Sequence, residues 1–267
     1  MLYKIVLVLI LTVMQSFYSS SVTAQTPADK VVAVMKNAGS SANQIATHLK
    51  NALRLPPEKV AELLKAAGFL APEIGKVLRN VFHIGVNKTS DILKRLFGFT
   101  DQVMVSVLKR GGYSINTISR WLNNIGVSAE TSAQYLKSNF APSNWILAKT
   151  LRAGGWSINA VTKALKFVGV IPNEIASILK RAFSIRDNAI AFALKLAGEG
   201  INKVAAALKF IGVTLNRSSE ILQEVFNVSN SLADEALQAT GWMINRPILT
   251  PAPVYKKKKI RGIPRKI

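Results

Sequence analysis

From Met35 onward a leucine returns every 14 or 15 residues: Leu49, Leu64, Leu78, Leu93, Leu108, Leu122, Leu136, Leu151, Leu165, Leu179, Leu194, Leu208, Leu222 and Leu237. The apolar positions around each anchor follow helical periodicity. Four residues before it stands an apolar side chain in most units, as at Ile45, Val60, Ile74, Met104, Ile118, Leu147, Val161, Ile175, Ile190 and Val204. Three before it the residue is small, as at Ala46, Ala61, Gly75, Ser90, Ser119, Ala148 and Ala176. Further apolar or glycine positions follow three and four residues after it. At about 100° per residue these offsets fall on one stripe centred on the leucine, and the small residues let a neighbouring helix come close.

Start signals separate the stripes: Pro57-Glu58, Pro72-Glu73, Thr100-Asp101, Ser128-Ala129-Glu130 and Pro172-Asn173-Glu174. They put a helix first turn before each apolar segment. Each unit therefore reads as a helix of about ten residues plus a short turn. Such a helix is marginal alone in water, so it must bury its stripe on its neighbours.

A longer period lies on top of this one. The residue four after the anchor runs Gly112, Gly126, Phe140, then Gly155, Gly169, Phe183, then Gly198, Gly212, Phe226. Ile115-Asn116 returns as Ile158-Asn159, Ile201-Asn202 and Ile244-Asn245, in steps of 43 residues. The expected fold class is all-α: a solenoid of short helices, one per 14–15 residues, with a three-helix repeat of about 43. In repeat length and helix count this resembles the armadillo/HEAT class of α-solenoids. The resemblance is architectural and brings no function with it. A globular helical bundle is the competing arrangement of the same helices.

The array is expected to span residues 25–245. Before it, residues 1–24 read as a secretory signal peptide: Lys4, an apolar run over residues 5–14, a polar stretch, and small residues at Val22 and Ala24 before Gln25. The run is too short for the ~20 residues a spanning helix needs, so cleavage and a secreted or periplasmic location are expected. After the array, residues 246–267 form a linker with Pro247, Pro251 and Pro253 and a basic tail of Lys256, Lys257, Lys258, Lys259, Arg261, Arg265 and Lys266. The sequons at Asn87, Asn216 and Asn227 matter only in a eukaryotic secretory pathway.

Composition removes several classes of chemistry. The chain has 267 residues and no cysteine, which excludes disulfides, a thiol nucleophile and thiolate metal sites. His48 and His83 sit at unrelated offsets in different units and make no metal pair. The acids Glu220, Glu224, Asp234 and Glu235 cluster in the last two units, where helix capping and solvation account for them. Neither enzyme nor cofactor is indicated. The aromatic series Phe69, Tyr113, Trp156 and Trp242, interrupted by Glu199, suggests stacking platforms for sugars or bases. The preferred account is a hydrophobic staple, with Tyr113 against Ile118 and Trp156 against Val161. Phe82, Phe97, Phe140, Phe183 and Phe226 fall on the apolar stripe and are assigned to the core.

Charge changes the picture most. Lys and Arg number 35 against 14 Asp and Glu, a net charge of +21. The residue after the anchor is basic in 12 of 15 units: Lys36, Lys50, Lys65, Arg79, Lys94, Lys109, Lys137, Arg152, Lys166, Lys180, Lys195 and Lys209. A cation near a helix C-terminus is favoured by the dipole, but acids do not balance these in number. Stacked units would turn them into ladders, expected as Lys50, Lys94, Lys137 and Lys180 on one edge and Lys65, Lys109, Arg152 and Lys195 on another. With the tail, these are the candidate polyanion-binding residues. The expected role is a non-enzymatic scaffold for an anionic polymer or surface, such as nucleic acid, acidic polysaccharide, anionic lipid headgroups or an acidic protein, with contact to a membrane surface included. No small-molecule substrate is indicated. The alternatives are a membrane-active amphipathic-helix protein, either toxin or lipid carrier, and a self-assembling structural repeat.

Overall fold

A computed structural model describes residues 26–244, an array of fifteen α-helices joined by turns of three to five residues, with no strand among the described residues. The helices are α1 Pro27–Asn37, α2 Ala42–Ala52, α3 Pro57–Ala66, α4 Ala71–Asn80, α5 Val86–Phe97, α6 Asp101–Arg110, α7 Ile115–Asn124 and α8 Ala129–Phe140. They continue as α9 Asn144–Ala153, α10 Ile158–Phe167, α11 Pro172–Phe183, α12 Asp187–Leu196, α13 Ile201–Phe210, α14 Leu215–Phe226 and α15 Asn230–Ala239. The expected signal peptide and basic tail lie outside the described residues.

The helices start where the chain satisfies their orphan amides. Ser114, Ser128, Ser143, Ser157 and Ser229 are N-caps whose side chains accept the backbone N–H three residues on. Proline occupies the first turn of α1, α3, α4 and α11. Most ends take one of two forms, while α2 and α4 close on left-handed Arg54 and His83. Ten-residue helices such as α6 close through glycine: Gly112, at φ +86°, donates to Lys109 O at 2.9 Å, and Tyr113 N–H donates to Leu108 O at 3.0 Å. These paired bonds need a left-handed residue, which glycine supplies without a steric penalty. The 12-residue helices α5, α8, α11 and α14 instead end in three-residue turns opened by left-handed Gly98, Ala141, Ser184 and Asn227. This alternation of helix and turn lengths carries the 43-residue period into the backbone.

Packing follows a different period. Each helix touches the next and the next but one, and none beyond. The odd-numbered helices therefore form one layer and the even-numbered helices the other, and the array is a two-layer α-solenoid. In a globular bundle, helices distant in sequence would meet; here they do not. The stacking unit is a pair of helices, so the three-helix unit expected from sequence describes turn lengths and not packing. An odd number of helices separates residues 43 apart, and such residues fall in opposite layers.

All fourteen leucine anchors are fully buried. The small positions serve close approach as expected. Ser119 Oγ in α7 donates to Thr150 O of α9 at 2.9 Å, and Gly154 at the end of α9 packs against the same hydroxyl. A Cβ on Gly154 would meet Ser119 Oγ and come within 2.6 Å of the Trp156 ring.

Leu122→Ala and Leu165→Ala are each expected to cost ~2–5 kcal/mol through lost burial and a residual cavity. Gly154→Ala should cost about 1–3 kcal/mol through overpacking. Urea unfolding followed by helical circular dichroism measures all three. Wild-type midpoints for the leucine variants would mean that the anchors do not form the core.

Candidate functional site

The basic residue after each anchor lies to the side of its helix, toward the layer-mate two helices on, and its long stem reaches that helix's C-terminus. The ammonium groups of Lys36 and Lys65 donate to Ala67 O and Leu96 O, and the Arg79 guanidinium donates to Gly112 O. Lys50 reaches Val81 O at 2.7 Å, Lys109 reaches Asn139 O at 2.5 Å and Lys137 reaches Val168 O at 2.8 Å. Further along, Lys166 reaches Ala197 O at 2.8 Å, Lys180 reaches Ile211 O at 3.1 Å and Lys195 reaches Val225 O at 2.6 Å. Lys209 binds both Thr240 O and Gly241 O. A helix C-terminus carries unpaired carbonyls and about half a negative charge, which is what a cation there neutralises.

The exceptions to the basic pattern obey the same rule. In α7 the position holds Asn123, whose amide donates to Gly154 O at 2.9 Å and so keeps the rung without a charge. In α14 and α15 it holds Gln223 and Gln238, and neither helix has a layer-mate two helices ahead among the described residues. The cation is present where a C-terminus waits for it. Only Lys94 and Arg152 depart from this: Lys94 pairs with Asp101, and Arg152 bonds Trp156 O in its own turn at 2.6 Å.

Beneath the cations lie the aromatics. Lys36 stands 5.4 Å from the Phe69 ring centroid, Lys50 5.4 Å from Phe82, Lys65 5.0 Å from Phe97, Arg79 5.6 Å from Tyr113 and Lys109 5.0 Å from Phe140. Lys195 sits over Phe226 and Lys209 over Trp242, each at 5.4 Å. The two aromatic sets that the sequence separates are one set of seats, and a cation over a ring face adds about 0.5–1 kcal/mol. Tyr113 is turned into the array, its hydroxyl bonded to Thr89 Oγ1 and Ile84 O. These rings are occupied on one face and are not an open row of stacking platforms.

Three of the ladder cations pair with a carboxylate, while Lys137, with Val170 at its seat, keeps only its carbonyl bond. Val127 and Val213 stand at the equivalent positions for Lys94 and Lys180, and those cations pair with Asp101 and Asp187 at the start of the next helix, Lys94 also lying 5.3 Å from the Trp121 ring centroid. Glu199 occupies the seat for Lys166. It is 5% exposed and lies 2.8 Å from Lys166 and 3.2 Å from Lys203. Burial works to raise its pKa, but the hydrogen-bonded Lys166 and then Lys203 outweigh it and hold the carboxyl below the ordinary glutamate range.

This geometry regroups the expected site residues. Lys50, Lys109, Lys137 and Lys195 belong to even helices, as do Arg79 and Lys166. Lys65, Lys94, Arg152 and Lys180 belong to odd helices. The expected ladder Lys50–Lys94–Lys137–Lys180 and its companion Lys65–Lys109–Arg152–Lys195 therefore each mix the two layers, because the 43-residue step spans three helices. The true ladders run every second helix. Lys256, Lys257, Lys258, Lys259, Arg261, Arg265 and Lys266 lie outside the described residues.

Charge balance also resolves along this line. Of the 26 Lys and Arg between residues 26 and 244, 12 stand on the ladder, and the other 14 match the 14 acids in number. Seven of those acids, including Glu58, Glu130 and Asp187, occupy helix first turns, where the dipole favours them. The net charge of the array equals the number of ladder cations, three of which, Lys94, Lys166 and Lys180, are themselves paired with acids. Elsewhere, His48 lines a shallow groove with Asn43, Thr47 and Asn51 at the exposed face of α2, and His83 lies on the turn after α4. No three His, Asp or Glu residues converge among the described residues. A correlation visible in sequence pointed to the ladder: a basic residue is followed by an aromatic 31 to 34 residues later, as at Lys36–Phe69 and Arg79–Tyr113.

Lys50→Met and Lys109→Met are expected to lower stability by about 1–2 kcal/mol each through loss of the carbonyl bond and the cation–π contact. Lys76→Met and Arg120→Met, on exposed outward positions, should stay within about 0.5 kcal/mol of wild type. Equal unfolding midpoints in the two pairs would remove the ladder's structural role. Glu199→Gln tests the buried pair by its pH dependence. Because the folded pKa is lowered, the carboxylate's contribution is complete above its unfolded pKa and is lost as pH falls through the folded value. The variant should be less stable than wild type at pH 7, and the gap should close below about pH 4.

Comparison of the chain with protein-family models, with curated proteins and with solved structures returned no match.

Proposed function

We propose that this protein is a non-enzymatic, exported scaffold that binds an anionic polymer or an anionic surface. One observation carries the reading: the positive excess is arranged and not diffuse. Ten of the twelve ladder cations reach helix C-termini in stacked register, and residues 245–267 add eight more cations with no acid. The ladder cations hold the fold together, yet several of them, such as Lys65, Lys109 and Lys137, remain exposed. An ammonium has three donors, so one given to a carbonyl leaves others for a phosphate, sulfate or carboxylate. Layer-mates pack about 8–10 Å apart, a spacing that brings successive rungs within reach of one charged chain. Each ring beneath a cation already has one face taken, which favours recognition of charge over recognition of bases.

Double-stranded DNA serves as a test polyanion. Log affinity should fall linearly with log salt, with slope near −0.9 per phosphate neutralised. Deleting residues 255–267 should flatten that slope and leave residual binding by the array. Replacing Lys50, Lys109 and Lys195 by Met should weaken the remainder more than replacing Arg110, Arg120 and Lys149, with helical circular dichroism confirming that both sets fold. Equal losses would mean that net charge alone acts, and absence of binding at low salt would end the proposal.

A further inference from the structure

Helix α12 carries apolar residues on its outer as well as its inner side. Ile190, Ala191, Ala193 and Leu194 are buried in the array, while Ala189, Phe192 and Leu196 point outward and are exposed. Its polar side chains are already engaged: Asp187 with Lys180, Asn188 Oδ1 with the Ala189 N–H, and Lys195 with Val225 O. A helix of this kind belongs in an interior, yet one side of α12 faces solvent. Its layer-mate α10 adds Phe167, and the turn leaving α10 adds Ile171. These four large side chains are 59% (Phe167), 61% (Ile171), 47% (Phe192) and 41% (Leu196) exposed. The bond from Lys166 to Ala197 O holds α10 and α12 in parallel register, so Phe167 and Leu196, each one residue past a ladder lysine, stand at the same end of adjacent helices. Earlier units carry Asn51, Asn80, Arg95 or Asn124 at that position, so the substitution is confined to the later part of the array.

We propose that the outer face of α10 and α12 is an interfacial membrane-docking surface, on which Phe167, Ile171, Phe192 and Leu196 enter the headgroup–acyl boundary of an anionic bilayer. The inference rests on the anionic-surface reading above and commits it to lipid. Charge complementarity selects this occupant. Lys163, Lys166 and Lys195 border the apolar side chains, while Glu224 of α14 stands across the shallow groove beside Phe192. Headgroup phosphates above a hydrocarbon layer match both the cations and the apolar residues. A second copy of the chain would bring the same positive edge, and a soluble polyanion would leave the apolar side chains uncovered. No helix among the described residues is long and apolar enough to cross a bilayer, so the contact lies in the interface plane, about 5–10 Å deep.

The test uses the chain from Gln25 to its end, with vesicles of phosphatidylglycerol and phosphatidylcholine against phosphatidylcholine alone, and DNA binding measured in parallel. The chain should bind the anionic vesicles and retain part of that binding at high salt, where its affinity for DNA has gone. Phe167→Ser, Phe192→Ser and Leu196→Ser together should weaken vesicle partitioning by at least about tenfold. That factor is about 1.4 kcal/mol, less than full burial of a single Phe or Leu supplies. DNA affinity should stay unchanged. In case the triple variant misfolds, Phe192→Trp provides a second readout: brominated lipid should quench its fluorescence more than that of the parent chain. A folded triple variant that partitions like wild type, or no added quenching, overturns the proposal. So does a dimer that the triple variant converts to a monomer, because a second copy then covers the face. Loss of both DNA and vesicle binding at low salt is the separate failure of the charge reading itself.

Discussion

The bond from a cation on one helix to the C-terminal carbonyls of the helix two places on is the interaction that orders this array. Short helices meet the cost of their ends more often than long ones do, since every ten to twelve residues leave another set of unpaired carbonyls. Glycine turns satisfy some of them locally. The ladder reaches the remainder from the neighbouring unit, so capping and stacking become the same contact. Removing a rung therefore weakens a helix end and a helix–helix interface together.

The seats below the cations show how the requirement is met with different chemistry. Phe69, Phe97 and Tyr113 offer a ring face. Glu199 offers a buried charge, and Asp101 and Asp187 offer one from the next helix start. What these alternatives share is negative potential at one location, the ring quadrupole being the weakest form and the carboxylate the strongest. Asn123 reaches the same end from the other side, supplying a donor without a charge. The ladder stops at Gln223 and Gln238, whose helices have no layer-mate ahead among the described residues.

The same economy shapes the surface. Away from the ladder, cations and acids are equal in number across the described residues, with many of the acids at helix starts. The strong basicity of the chain is therefore concentrated along the helix ends and in the C-terminal segment. Large apolar side chains are exposed singly along the array, as at Val34, Leu70, Ile146 and Phe210, and on α10 and α12 several of them stand together.

The leucine spacing, the capping serines and prolines and the glycine-ended turns are local features, and by themselves they determined the helices, their ends and the buried stripe. The 43-residue period was also legible, because helix and turn lengths are written in contiguous residues. Which helices lie side by side was decided only in three dimensions, since layer membership depends on what each stripe packs against two units away. The sequence therefore placed Lys94 and Lys137 on one ladder, whereas their helices belong to opposite layers. It also divided the aromatics into a surface row and a core set, because offsets of four and five residues from the anchor look different along the chain. Tertiary packing brings both offsets under ladder cations, with Phe97 and Phe140 at the ends of 12-residue helices and Phe69 and Trp242 in turns.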